Sequence, residues 1–182
     1  MTPSRQFLYG RRSGPARGNG GESFSLGGGG ALRLLSYNTP KGIGLDRRYD
    51  LERVLAVAES VEPDLLCLQE VDFGVARSRF EDQPAAWAAR FPGFSGAFQH
   101  NVRVQAGGYG NMLLSRWPLV EVHPVSLRRG RRKNRGAQIV LVAAPGGELV
   151  VVNLHLSLTE GTRRWQVERL LGHSFLHRHR GT

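Results

Sequence analysis

The stretch Glu62–Asp72, EPDLLCLQEVD, decides how this chain is read. Leu65 to Leu68 is almost wholly apolar, the composition of a strand buried on both faces. Pro63 ends whatever precedes it, because the residue before a proline is pushed out of helical geometry. Gln69 and Glu70 then follow with no turn signal between, where the strand should still be covered. A carboxylate in such a place is costly unless a cation pairs with it or a metal binds it. Taken alone, Glu70 fits a metal ligand at a strand end or an ion pair with one of the 25 Lys and Arg residues of the chain.

Working outward, Ala31–Asn38 (ALRLLSYN) reads as a second buried strand ending near Asn38, and TPKGIGLDRR after it as a loop. Between the two strands, YDLERVLAVAESVEPD places Leu51, Val54, Leu55 and Ala58 at helical spacing, with Asp50 as N-cap. A strand, a helix and a strand at this spacing predict a parallel pair. Downstream, QPAAWAARFPG predicts a short helix and SGAFQH a short strand. GNMLLSRWPLVEVHPVSL predicts one or two strands broken around Pro118. GAQIVLVAA and ELVVVNLHL flank the turn signal PGG and predict a hairpin. TRRWQVERLLGHSFL predicts a helix with a stripe of Trp165, Val167, Leu170 and Leu171, capped through Glu160 or Thr162. GHSFLHRHRGT reads as a basic exposed loop. The fold class is mixed α and β, with parallel and antiparallel strands.

The 182 residues suit one domain or part of one, and a 40% hydrophobic share suits a globular core. A net charge of +10 favours polyanionic partners, nucleic acid or anionic surfaces. The basic run Arg128–Arg135, RRGRRKNR, fits either a phosphate-backbone contact or a solvated loop. The single cysteine, Cys67, excludes an internal disulfide and a cysteine-rich zinc site and reads as a buried, inert thiol. No apolar run reaches the length of a membrane span and no secretory signal is evident, so a cytoplasmic location is expected. Residues 1–30, basic and rich in Gly and Ser, are expected to be a disordered leader, with the folded domain over 31–182.

Three polar residues end apolar strands: Asn38 after LRLLSY, Glu70 after DLLCLQ and His155 after LVVVNL. Ligands in α/β sheets bind outside strand ends. Singly, Asn38 fits a turn residue and His155 a satisfied core histidine. The ordered set LRLLSYNTPKG, EPDLLCLQEVD, GYGNMLLSRWPL, RGAQ and VVVNLHLSLTEGTRRWQ is far more specific. Over roughly Leu32–Leu171 it resembles the endonuclease/exonuclease/phosphatase superfamily, which includes deoxyribonuclease-I-like enzymes. The resemblance implies a four-layer α/β/β/α sandwich and a hydrolase dependent on Mg2+ or Mn2+, cleaving phosphate esters, with nucleic-acid phosphodiesters as the leading substrate. It implies that Glu70 and Asn38 hold the metal and that His155 is catalytic, on the scissile phosphate. It places Arg135, Asn111 and Tyr109 in phosphate or substrate binding, the last two more in support.

The same resemblance implies two further motifs, Gly-Asp-x-Asn and then Ser-Asp-His, which position and activate water. Neither occurs, no Gly-Asp pair exists, and no aspartate follows Asp82. The expectation is therefore a truncated domain lacking its second half, inactive on its own, with apolar strand faces of ELVVVNLHL and AQIVLVAA left open to self-association. The alternative is a non-catalytic, basic nucleic-acid-binding fragment.

Overall fold

The computed structural model describes residues 6–9, 32–131 and 133–179. Among these described residues eight strands form two sheets. They are β1 (Gln6–Tyr9), β2 (Leu34–Asn38), β3 (Leu65–Phe73), β4 (Ser95–Val104), β5 (Gly107–Ser115), β6 (Leu119–Ser126), β7 (Gly136–Ala144) and β8 (Gly147–Leu154). The larger sheet runs β1-β4-β5-β3-β2 and the smaller β6-β7-β8. Helices α1 (Leu51–Ser60) and α2 (Gln83–Arg90) lie between strands of the first sheet, and α3 (Glu160–Leu171) and α4 (Ser174–Arg178) follow the second.

Local chemistry sets the first unit. The Asp50 side chain accepts from Arg53 N–H and starts α1, whose buried face is Leu51, Val54, Leu55 and Ala58. Strands β2 and β3 pair in parallel, Leu34 opposite Leu65 through Asn38 opposite Gln69. The other pairs in both sheets are antiparallel. Pro118 separates β5 from β6. Pro124 lies inside β6, an edge strand, where a missing N–H costs no ladder bond on the open side.

Three apolar clusters define four layers. Leu55 and Ala58 of α1 and Trp87 of α2 pack on Leu66, Leu68, Phe98 and Met112, covering the outer face of the large sheet. Leu170 of α3 and Phe175 of α4 cover Ile139 and Leu141 on the outer face of the small sheet. Between the sheets, Leu65, Cys67 and Leu113 meet Val140, Val142 and Val151. Burial pushes the Cys67 thiol up to about 11, which leaves it protonated.

The inner layer also holds a polar knot. Asn153 Nδ2 lies within 3.1 Å of Leu68 O, Met112 O and Gln138 Oε1, and Asn153 Oδ1 accepts from Gln69 Nε2 at 2.9 Å. Gln138 Nε2 donates to Ala97 O at 2.8 Å. These bonds cross from the small sheet to three strands of the large one and fix the offset of the two sheets.

The structure departs from the sequence expectations at several points. Both sheets are represented, so β7 is covered on both faces rather than open; only Ala143 of it is exposed. The open apolar surface is narrower, an edge groove of about 410 Å³ between β2 and β8 lined by Leu34, Leu149, Val150, Val152 and Leu154. On α3 the buried positions are Thr162, Gln166 and Leu170, while Val167 and Leu171 are exposed, because Gln166 reaches inward to Leu127 O and Ser157. The residue flanking α3 is Thr159, its N-cap position, rather than Glu160 or Thr162. The tail read as an exposed loop instead forms α4, with Phe175 fully buried. In the leader, Gln6–Tyr9 forms β1 against β4; the rest of residues 1–31 lies outside the described residues.

Asn153→Leu should cost about 3 kcal/mol in urea denaturation, because it strands several buried partners at once. Val152→Ala, on the half-open groove, should cost under about 1 kcal/mol in the same measurement.

Candidate active site

The site is organised by a bulge. The register of β3 on β5 shifts between Leu68 and Val71, and Glu70 takes the left-handed conformation, φ 60°. Such backbone is strained for a residue with a Cβ and persists only where the surroundings hold it. Here Thr39 holds it: its N–H and its hydroxyl both donate to Gln69 O, at 3.0 and 2.9 Å. The bulge therefore re-aims Glu70 while the backbone beside it stays satisfied. On the other side of β5, Gly110 of GYGN permits the close approach of β4: a Cβ there would stand 1.8 Å from Gln99 O.

Glu70 is half-buried, its side chain 13% exposed, and it is surrounded by cations. Lys41 Nζ donates to Glu70 Oε2, and Arg135 Nη1 lies 3.9 Å from Oε1. Lys41 stands in the turn Pro40–Gly42 just after β2, held in place by Gln83, whose Nε2 donates to Lys41 O at 2.9 Å. The Gln83 Oε1 accepts from Asp72 N at 2.8 Å, so Lys41 is tied to the strand that carries Glu70. Burial pushes the Glu70 carboxyl up, but the hydrogen bond and charge of Lys41, with His155 and Arg135, more than offset it; the net shift is downward.

Arg135 Nη1 lies 3.3 Å from His155 Nδ1. A guanidinium only donates, so Nδ1 accepts and the proton of the neutral ring sits on Nε2. Burial first, then the charges of Arg135, Lys133 and Lys41, hold His155 below the ordinary histidine value, although Glu70 pulls the other way. Arg135 and His155 meet because Gly136 O accepts from both His155 N–H at 3.3 Å and Asn111 Nδ2 at 2.9 Å.

The residues expected from sequence fall into two groups. Glu70, Arg135 and His155 converge directly. Asn38 is exposed at the end of β2, in register with Gln69 next to Glu70. Asn111 is buried and spends its amide on Gly136 O, so it positions the strand start that carries Arg135. Tyr109 is buried, and Lys41, Arg77 and Lys133 stand 5.5, 5.2 and 5.3 Å from its ring centre. Lys41, Arg77, Thr39 and Gln83 were not singled out from sequence. Nothing in their spacing marks them, since each sits in or beside a turn and is brought to the site by the fold. Gln69 and Asn153 did carry the signal used for Glu70, a polar residue within an apolar strand.

With this geometry in place, comparison with known proteins settles the lineage. The model of the Endonuclease/Exonuclease/phosphatase family matches residues 35–181. The chain belongs to that family. Its fold is similar to an endonuclease/exonuclease/phosphatase from Beutenbergia cavernae DSM 12333 (24% identity, TM-score 0.64), which covers 78% of this chain and is itself covered over 44%. It is also similar to a family protein from Leptotrichia buccalis C-1013-b (11% identity, TM-score 0.60, 79% and 63% covered). A third likeness is to D. rerio TDP2 complexed with single strand DNA product (19% identity, TM-score 0.54, 77% and 53% covered). The chain thus spans less than two thirds of each of these structures. A search of curated proteins finds no match. Among the described residues, no helix is long and apolar enough to cross a membrane.

Lys41→Met should raise the Glu70 pKa, as burial then goes less opposed; side-chain carbon NMR titration reads this directly. The sign for stability follows. A depressed carboxyl contributes stability that is full above its unfolded value of 4.5 and is lost as pH falls through the folded value. The acid side of the urea midpoint should therefore flatten in Lys41→Met relative to the unmodified chain.

Proposed function

We propose that this chain carries the phosphate-binding and metal-carboxylate part of a phosphoesterase site acting on nucleic-acid phosphodiesters. The observation that carries the reading is the meeting of Glu70, at the bulge inside β3, with Arg135 just before β7 and His155 just after β8. A charged carboxylate and the exposed amide oxygen of Asn38 are hard donors, suited to Mg2+ or Mn2+, which keep waters and take substrate oxygens as further ligands. Among the described residues there is no group of three or more His, Cys, Asp or Glu that could hold a metal; substrate and solvent oxygens would be needed as further ligands. When bound, such an ion supplies neutralisation of charge at the phosphoryl oxygens.

The chain's own residues then have distinct tasks. Arg135 offers a planar guanidinium to two phosphoryl oxygens. His155, neutral, offers its Nε2–H to an oxygen that gains charge in the transition state. With Nδ1 already accepting from Arg135, His155 as placed is a donor and not a base. General-base help to water is worth about two to four powers of ten, and these 182 residues hold no aspartate after Asp82 to give it. The chain taken alone is therefore assigned binding with little or no turnover. The +10 charge and the basic run Arg128–Arg135 support nucleic acid as the polyanion bound.

The decisive assay incubates the chain with plasmid and with bis(p-nitrophenyl) phosphate, in Mg2+ and in chelator, alongside Glu70→Ala. Calorimetry should show Mg2+ binding that Glu70→Ala abolishes, and DNA binding that weakens steeply with salt. Hydrolysis that survives Glu70→Ala would overturn the metal assignment. Metal-dependent hydrolysis by the unmodified chain that is lost in Glu70→Ala would overturn the assignment of binding alone.

Among the described residues β2 and β8 are edge strands without a second neighbour, and with the apolar groove between them they support a further part of the proposal, self-association. Light scattering after size exclusion should find a species heavier than the 20.1 kDa chain; a monodisperse monomer at micromolar concentration would contradict it.

A further inference from the structure

The basic groups of the site outnumber what a single scissile phosphate uses. Arg135 and His155 already serve one phosphoryl group. Lys41, Arg77 and Lys133 form a second set, gathered around the ring of Tyr109 within 5.2 to 5.5 Å of its centre. Like charges brought this close repel unless anions stand between them. Two of the three have carboxylate partners: Lys41 pairs with Glu70, and Arg77 pairs through Nε and Nη2 with the two oxygens of Asp72 at 2.9 and 2.8 Å. Lys133 is exposed and pairs with no carboxylate among the described residues. An aromatic face offsets only part of that charge.

A second, independent observation lies at the same place. The Tyr109 hydroxyl is buried and has no hydrogen-bond partner among the described residues. Buried polar groups left without protein partners are uncommon and point to water or a ligand. Asp72, the partner of Arg77, sits opposite Tyr109 in the β3–β5 ladder, so the platform is anchored to the strand that carries Glu70.

We propose that the face of Tyr109, with Lys133, Arg77 and Lys41, is a subsite for a second phosphoryl group beside the one held by Arg135 and His155. The inference rests on the phosphoesterase reading of the main site. It adds that the ligand carries two phosphoryl groups. These are either successive phosphates of a nucleic-acid strand or the two groups of a small bisphosphorylated molecule.

The test is calorimetric binding in chelator at fixed salt, with the full chain and two ligand pairs. One pair is dithymidylate with and without a 5′-phosphate; the other is methylenediphosphonate and orthophosphate. The two-phosphoryl member should bind about tenfold tighter, the worth of one charge-assisted contact. Lys133→Gln should remove that advantage and leave the one-phosphoryl ligands within about twofold of the unmodified chain. Arg33→Gln, an equal loss of charge at the far end of β2, should keep it. An advantage confined to the dithymidylate pair assigns the subsite to a strand, and one confined to the diphosphonate pair assigns it to a small molecule. Equal affinity within both pairs, or an advantage that persists in Lys133→Gln, would overturn the subsite while leaving the main reading intact. Absence of binding by every ligand would overturn both.

Discussion

The structure depends on one break in register. Between Leu68 and Val71 the β3 strand slips against β5, and Glu70 is held in left-handed backbone that a side-chain-bearing residue adopts only under constraint. Without the slip, the period of two along the strand would fix the Glu70 side chain by simple alternation with its neighbours. With it, Glu70 meets Lys41 from the β2 turn and Arg135 from the start of β7. The double donation of Thr39 to Gln69 O and the anchoring of Gln69 by Asn153 make the bulge part of the core on one side and part of the site on the other.

This arrangement explains why charged groups cluster at the end of an apolar fold at tolerable cost. Glu70 and Asp72 are each matched by a cation, and Arg135 is shared between Glu70 and His155. Removing one member leaves another buried and unpaired, so the set behaves as a unit. The surplus is positive, which suits a phosphate ester and fits the family to which the chain belongs.

Much of the fold was legible because its signals are local. Asp50 before an i, i+3, i+4 stripe marks α1, and alternating or continuous apolar runs bounded by Pro and Gly mark β3, β5, β7 and β8. The α3 face was misread because Gln166, a polar residue, takes a core position through bonds to Leu127 O and Ser157 that no periodicity reveals. The openness of β7 was misread because the order of strands in the chain does not state how they are shared between sheets. In the site, Asn38 and His155 are legible as polar residues where apolar strands end and Glu70 as a carboxylate in an apolar run, although its strand continues to Phe73; Arg135 is legible only through the family resemblance. Lys41, Arg77 and Thr39 are not, since they reach the site through loops, and the partners of Lys41 and Thr39 lie far along the chain.

The proposal turns on whether Glu70, the carboxylate at the bulge, binds a divalent cation. Paramagnetic Mn2+, added in substoichiometric amounts to isotopically labelled chain, reports this directly by broadening amide resonances near the ion. The account predicts that the amides of residues 38–41 and 69–71 and of His155 broaden first, and that Glu70→Gln abolishes the pattern. Broadening centred elsewhere, or unchanged in Glu70→Gln, would contradict it.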